Sequence, residues 1–332
     1  MSSAATQRRV LLLAHTGRDA ARDVALAFCK SLTGHGLLVR LLEADAAELG
    51  LDAQAYDPPL EFVAAEDDAG ADCELALVVG GDGSILRAAE VTRASGTPVL
   101  GVNLGHVGFL AEAEPEDVEA TIEAVVGRTW IAEDRLTLDV RVFRDGELVN
   151  QTFALNEASI EKAARERMIE VVVEIDGRPL SRWGCDGVVL STPTGSTAYN
   201  FSAGGPVVWP GVEALVVVPI SAHALFARPL VVAPDSVVAV EVIARTDGAA
   251  VLWCDGRRAV DLPPGARIEV RRGPKPVRLA RLHLAPFTDR LVAKFDLPVE
   301  GWRGSAQRRR RAEEQRSEAP HTAVPPWEEP DA

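Results

Sequence analysis

Leu75-Ala76-Leu77-Val78-Val79-Gly80-Gly81-Asp82-Gly83-Ser84-Ile85-Leu86-Arg87-Ala88-Ala89-Glu90 runs from an unbroken apolar segment through a glycine loop into an amphipathic stretch. Five apolar residues bounded by glycine read as a strand buried on both faces, the kind found in parallel sheets covered by helices. A glycine loop between such a strand and a helix is where phosphate is commonly bound. Glycines let the backbone approach a ligand, and the helix start presents amides to an anion. Neither a GxGxxG fingerprint nor a GxxxxGK(S/T) loop occurs here, which disfavours hydride-transfer and Walker-type nucleotidase readings. Asp82 is the unusual feature. Beside phosphate a carboxylate must serve as a base, bind a divalent cation or hydrogen-bond a sugar hydroxyl; the alternative is a helix cap over a plain turn.

Outward from this loop, residues 9 to about 126 alternate short apolar runs with amphipathic stretches. Strands are expected at Val10–Ala14, Leu37–Leu42, Leu75–Val79 and Val99–Val102, and helices near Asp19–Leu32, Ser84–Ala94 and Pro115–Val126. After Trp130 the texture becomes β-rich, as in Thr137–Phe143, Met168–Ile175, Gly187–Ser191, Ala214–Pro219, Ser236–Val242 and Ala249–Trp253. Arg144-Asp145-Gly146, Asp176-Gly177 and Asp255-Gly256 read as turns. The expected fold class is therefore an α/β N-terminal domain with a Rossmann-like parallel sheet, followed by an all-β sandwich. Residues 1–128 would form the first domain, with the glycine loop, and 129–275 the second. Residues 276–302 are expected to pack back on the first domain, and 303–332, which hold Arg308–Arg311 and little to bury, read as a disordered tail.

The chain has 332 residues, with 35 Lys+Arg against 49 Asp+Glu, a formal charge of −14. That balance disfavours nucleic acid and anionic membranes as partners. No run approaches the roughly 18 apolar residues of a membrane helix, and Val10–Ala14 is too short for a signal-peptide core, so a cytoplasmic protein is expected. Cys29, Cys73, Cys185 and Cys254 lie far apart with no CxxC pair, arguing for reduced, buried thiols rather than a zinc ribbon. Only Lys30, Lys162, Lys275 and Lys294 are lysines, so phosphate chemistry must lean on arginine, amides and metal.

Two further motifs carry chemistry. Asn156-Glu157 places adjacent polar side chains inside an apolar β segment, where alternation would bury at least one. A buried carboxylate needs a partner, for which a sugar diol or an amide would serve; an ion pair with Lys162 or Arg165 is the alternative. Asp186–Pro206 takes a buried strand into a loop dense in hydroxyls and glycine, a polar cradle suited to ribose or phosphate, with Tyr199 offering a flat face to a base.

With GGDG at Gly80–Gly83, GVNLGHVGFLAE at Gly101–Glu112, LNE at Leu155–Glu157, DGVVLSTPTGSTAYNFSAGGPVV from Asp186 and HALFARPLV at His223–Val231, the sequence resembles the bacterial NAD kinases over about Arg9–Leu297. The resemblance implies phosphoryl transfer to the 2′-hydroxyl of the adenosine ribose of NAD, giving NADP. It implies ATP or polyphosphate as donor, Mg²⁺ or Mn²⁺ with the donor phosphates rather than protein metal ligands, and a homo-oligomer, dimer or tetramer. On the matching positions, Asp82 is the catalytic aspartate and Gly80, Gly81 and Gly83 form the phosphate loop. Gly83, Arg87, Asn156, Glu157, Arg167, Asp186, Thr197, Ala198, Tyr199 and Ser202 bind substrate. Ser84 stands where the family commonly has Thr or Asn, and Arg257 where other members often have an amide. His106 and His223 are further candidates for ligand contact. GGDG alone is shared with lipid and sugar kinases, and a non-catalytic NAD(P) sensor would keep the binding residues, so both remain alternatives.

Overall fold

The computed structural model describes residues 7–103, 108–111, 118–164, 167–243, 249–283 and 286–299. Arg165, His106 and the 303–332 segment lie outside them. So does the start of the expected helix at Pro115, whose remainder is α4 (Val118–Gly127).

A seven-stranded sheet is built from β1 (Arg9–Ala14), β2 (Leu38–Leu42), β3 (Glu61–Val63), β4 (Leu75–Val79), β5 (Val99–Val102), β6 (Ile131–Arg135) and, from far along the chain, β19 (Val277–Arg281). Its order is β3-β2-β1-β4-β5-β19-β6, parallel except for β6. The apolar run of β1 serves two faces. Val10, Leu12 and Ala14 pack with Ala21, Ala25, Phe28, Cys29 and Leu32 of α1 (Asp19–Gly34), a helical stripe. Leu11 and Leu13 pack on the other face with Ile85, Ala88 and Ala89 of α3 (Asp82–Thr92). A short α2 (Glu43–Leu49) follows β2.

The strand order turns outward in both directions from β1 and β4, so the crevice at their carboxyl ends is the topological switch point where open α/β sheets bind ligands. Ala14 and Val79 end the two strands there, and His15 N–H donates to the Val79 carbonyl at 2.9 Å. Gly80–Gly83 leads out of that crevice into α3. The helix starts at Asp82, two residues earlier than the sequence pattern suggests.

Two six-stranded antiparallel sheets form the sandwich. One contains β7 (Leu138–Arg144), β8 (Glu147–Ala154), β10 (Ile169–Ile175), β11 (Arg178–Cys185), β15 (Val238–Val242) and β18 (Arg267–Arg272). The other contains β9 (Glu157–Lys162), β12 (Gly187–Ser191), β13 (Leu215–Ile220), β14 (Leu230–Val232), β16 (Ala250–Cys254) and β17 (Arg258–Leu262). Alternate residues such as Val171 and Val173, Val188 and Leu190, and Val238 and Val240 meet in one core around the fully buried Trp183. The outer face of β12 is also covered, because Val189 packs with Tyr199, Ala203 and Val208, which is why this strand reads as continuously apolar. Asp145-Gly146, Asp176-Gly177 and Asp255-Gly256 all have positive φ at both residues, the backbone of tight hairpin turns.

All four cysteines are buried and unbridged. Contacts divide the chain into a large unit ending at Phe287 and a smaller one from Thr288; of the latter, the described part is the rest of α6 (Phe287–Phe295) and a short extension. Among the described residues no helix is long and apolar enough to cross a membrane. The indole of Trp183 fills the sandwich core and donates to the Phe226 carbonyl at 3.0 Å. Trp183→Ala should therefore lower the unfolding free energy by about 3–5 kcal/mol, read from urea denaturation.

Candidate active site

Asp82 is the first residue of α3, but its side chain does not cap that helix; Gly81 holds the cap position without a side-chain bond. The carboxylate instead accepts the Phe109 N–H at Oδ2 (3.0 Å) and the Leu110 N–H at Oδ1 (3.1 Å). Gly108 makes this approach possible, since a Cβ there would stand 2.4 Å from Asp82 Oδ1. Leu110 is fixed in turn by Arg281 of β19, whose Nη1 donates to its carbonyl at 2.9 Å. Two amides thus orient the carboxylate, and each oxygen retains lone-pair capacity for a ligand hydroxyl. Among the described residues, a Cβ at Gly81 or Gly83 would meet nothing within 4 Å, so the loop is open on that side.

Asn156 and Glu157 lie where the chain turns from β8 into β9, and both are buried. The turn is tied at every main-chain group. Asp255 accepts the Leu155 N–H at 3.0 Å and the Asn156 N–H at 2.7 Å. Thr192 donates its hydroxyl to the Leu155 carbonyl at 2.6 Å and its amide to the Asn156 carbonyl at 2.9 Å. Gly195 presses on the same turn so closely that a Cβ would fall 2.0 Å from the Asn156 oxygen. The Leu155 side chain enters the apolar cluster of Ile85, Leu86, Leu110 and Ala111. One packed cluster therefore joins the helix that begins with Asp82, the segment that clamps it and the turn that carries Asn156 and Glu157.

Glu157 is not paired with Lys162, which bridges Asp186 at 2.5 Å. Its carboxylate accepts the Tyr199 N–H, and Oε2 is buried without a hydrogen-bond partner. Burial, reinforced by the charge of Asp255, pushes the Glu157 carboxyl up to about 8. Burial also raises Asp255, against its bonds to the turn amides and the 2.7 Å bridge from Arg258. An orphaned carboxylate oxygen beside a hydroxyl-rich loop is what a polyol ligand would satisfy.

The other expected residues fall into two groups. Thr197, Ala198, Tyr199 and Ser202 lie on the turn and short helix after β12, beside Glu157. Burial raises the Tyr199 phenol, with a hydrogen bond to Glu161 adding to the shift. Asp186 stands at the opposite end of β12, opposite Lys162, roughly 17 Å from Glu157 at about 3.3 Å per residue. The hydrogen bond from Lys162 draws the partly exposed Asp186 carboxyl below its usual range. Arg167 is exposed just before β10, and His223 is exposed with its amide on the Gly184 carbonyl. Arg87 is held by the buried Asp45 through bonds of 2.6 and 3.1 Å, and Arg257 by Glu90 through bonds of 3.0 and 3.1 Å.

Sequence reasoning missed Asp255 and Thr192 as supports. An Asp-Gly pair signals only a turn, and nothing local shows that its carboxylate faces inward. Among the described residues no three His, Cys, Asp or Glu side chains gather to hold a metal ion.

The folded protein holds the Glu157 proton up to about pH 8 while the unfolded chain releases it near 4.5. The unfolded state therefore binds fewer protons between those values, and stability falls as pH rises through them. Glu157→Gln removes this dependence. Relative to the variant, the parent chain should lose up to about 1.4 kcal/mol per pH unit between pH 5 and 8, measured by urea unfolding without ligand.

Residues 12–129 match the family model for the ATP-NAD kinase N-terminal domain, and residues 155–282 the model for its C-terminal domain. NAD kinase 2 of Streptomyces coelicolor is 61% identical over 299 residues, 90% of this chain and 97% of that protein. The NAD kinase of Thermobifida fusca is 60% identical over 309 residues, 92% and 94% of the two chains. Among solved structures, yeast NADH kinase complexed with NADH superposes with a TM-score of 0.77 at 24% identity, covering 89% of each chain. An Archaeoglobus fulgidus NAD kinase in complex with ATP gives 0.62 at 24%, covering 88% of this chain and 99% of that one. With both family domains matched in order and such identity over nine-tenths of its length, the chain is an enzyme of the NAD kinase family.

Proposed function

We propose that the chain transfers a phosphoryl group to the 2′-hydroxyl of the adenosine ribose of NAD, with Asp82 as the general base. The observation that carries this reading is the Asp82 carboxylate, oriented by the Phe109 and Leu110 amides at the mouth of an open glycine loop. A ribose hydroxyl is a weak nucleophile, so catalysis rests on holding it in line with the donor and taking up its proton as the new P–O bond forms. Asp82 accepts that proton. The first amides of α3 lack intrahelical acceptors and face the charge that spreads over the phosphoryl oxygens.

Glu157 and Asn156 hold the sugar hydroxyls, with the orphaned Oε2 of Glu157 as an acceptor. Tyr199, Ala198, Thr197 and Ser202 line the nucleoside. Asp186 and Arg167, remote from this centre, serve the far end of the dinucleotide. Arg87 acts at the rim of the phosphate region, tethered by Asp45.

The donor is ATP, in keeping with the description of both matching family models, or polyphosphate; it brings its divalent cation with it as part of the substrate. Exposed Phe201, Trp209 and Phe226 support assembly into a homo-oligomer.

Asp82→Asn should lower kcat by about 10²–10⁴-fold while NAD binding stays within a few-fold of the parent. The assay couples NADP formation to an NADP-specific dehydrogenase, with binding by calorimetry. Near-normal turnover would remove Asp82 from the role of base. Excess EDTA should abolish product formation with ATP, and added Mg²⁺ should restore it.

A further inference from the structure

A second cleft, of about 680 Å³, opens between α3 and the β8 edge of the sandwich. That is within the size range of small-molecule sites, roughly 300–1,000 Å³. In a chain of net charge −14, its wall carries five cationic side chains against three carboxylates, a local excess of positive charge.

Most of these cations are already engaged. Arg87 is paired with Asp45, and Arg257 and Arg258 with Glu90. Arg93 and Lys275 are different. Arg93 Nε donates to the Lys275 carbonyl at 3.1 Å, and Lys275 Nζ to the Ala94 carbonyl at 3.2 Å. Among the described residues no carboxylate bridges either one. Arg93 is also aimed, because its guanidinium stacks 4.5 Å from the Phe153 ring centroid while Arg258 stacks 4.2 Å from the same ring. Burial draws the Arg93 guanidinium below its ordinary value, against the nearby carboxylates of Asp139 and Asp67, and Arg258 adds to the lowering. Two cations held together on one ring, one of them with carboxylates nearby but none bridging it, are what an anion would stabilise.

We propose that this cleft binds a small polyanion, a molecule with two or more adjacent carboxylate or phosphate groups, through Arg93 and Lys275. The site is independent of the reading of Asp82 as a base. It is nonetheless connected to the dinucleotide turn, since Arg258 lines the cleft and also bridges Asp255, which holds Leu155 and Asn156.

The test is calorimetric titration of the full chain, metal-free and at low ionic strength, with tricarballylate in one arm and pyrophosphate in the other. Saturable binding of at least one probe is expected. Lys275→Ala should weaken it about tenfold, and Asp67→Asn, which removes a negative charge from the cleft wall, should tighten it. Lys275 is exposed, so its replacement should leave thermal unfolding unchanged, and Arg93→Lys serves as a second variant that keeps the charge but loses the planar fork. Binding by only one probe distinguishes a carboxylate ligand from a phosphate ligand. Failure of both probes to bind, or binding unaffected by Lys275→Ala, overturns the proposal; pyrophosphate binding of that insensitive kind would belong to the glycine loop.

Discussion

The Leu155–Asn156 turn exists in its observed form because a buried carboxylate stands behind it. Asp255, only 6% exposed, takes both turn amides in a setting where an unpaired donor costs about 1–3 kcal/mol. Burying the charge is itself costly, and the 2.7 Å bridge from Arg258 offsets that cost. Held in this way, the turn directs Leu155 into the cluster with Ile85 and Leu110, while Asn156 and Glu157 stay at the edge of the hydroxyl-rich loop. Without the Asp255 bonds, neither the contact between the two halves of the site nor the burial of Glu157 would follow.

The two acidic residues of the site are set up in opposite ways. Asp82 is half-buried and its two oxygens are each met by an amide, a setting that fixes direction. Glu157 is buried with one oxygen unpartnered, a setting that favours the neutral form and leaves an acceptor for a ligand. A polyol occupying that acceptor would supply the hydrogen bonds the protein withholds. Orientation is thus built into the protein at Asp82 and left for the ligand to complete at Glu157.

Much of this was legible in the sequence where local chemistry carried it. β1 and β4 announced themselves because a strand covered on both faces has no polar alternation, and the Asp-Gly hairpins because positive φ selects those residues. Asp82, Asn156 and Glu157 stood out as polar groups in apolar surroundings. By contrast, β6, with the sequence IAEDR, carries charges that hide its membership of the first sheet, and VRLAR does not announce itself as the strand β19 although residues 276–302 are expected to return to that domain; the pairing of the two spans more than a hundred residues. α2 is too short for a periodic signal. The clamp on Asp82 and the anchor at Asp255 were invisible for a related reason, because both act through main-chain amides brought from elsewhere in the chain.

The position of β19 constrains the order in which the protein can be made. β6 joins the first sheet only through β19, and one edge of β5 waits for the same strand. At the usual pace of about 5–20 residues per second, the 175 residues from Val102 to Val277 take roughly 10–35 s to emerge from the ribosome. For that interval the nascent α/β half presents an open strand edge, the kind of surface that pairs with other chains. Arg281, which secures the clamp on the Asp82 carboxylate, arrives with the same late strand. The sandwich must therefore be synthesised before the first half can be finished, and a chain interrupted before residue 277 would carry the glycine loop without the strand that steadies its aspartate.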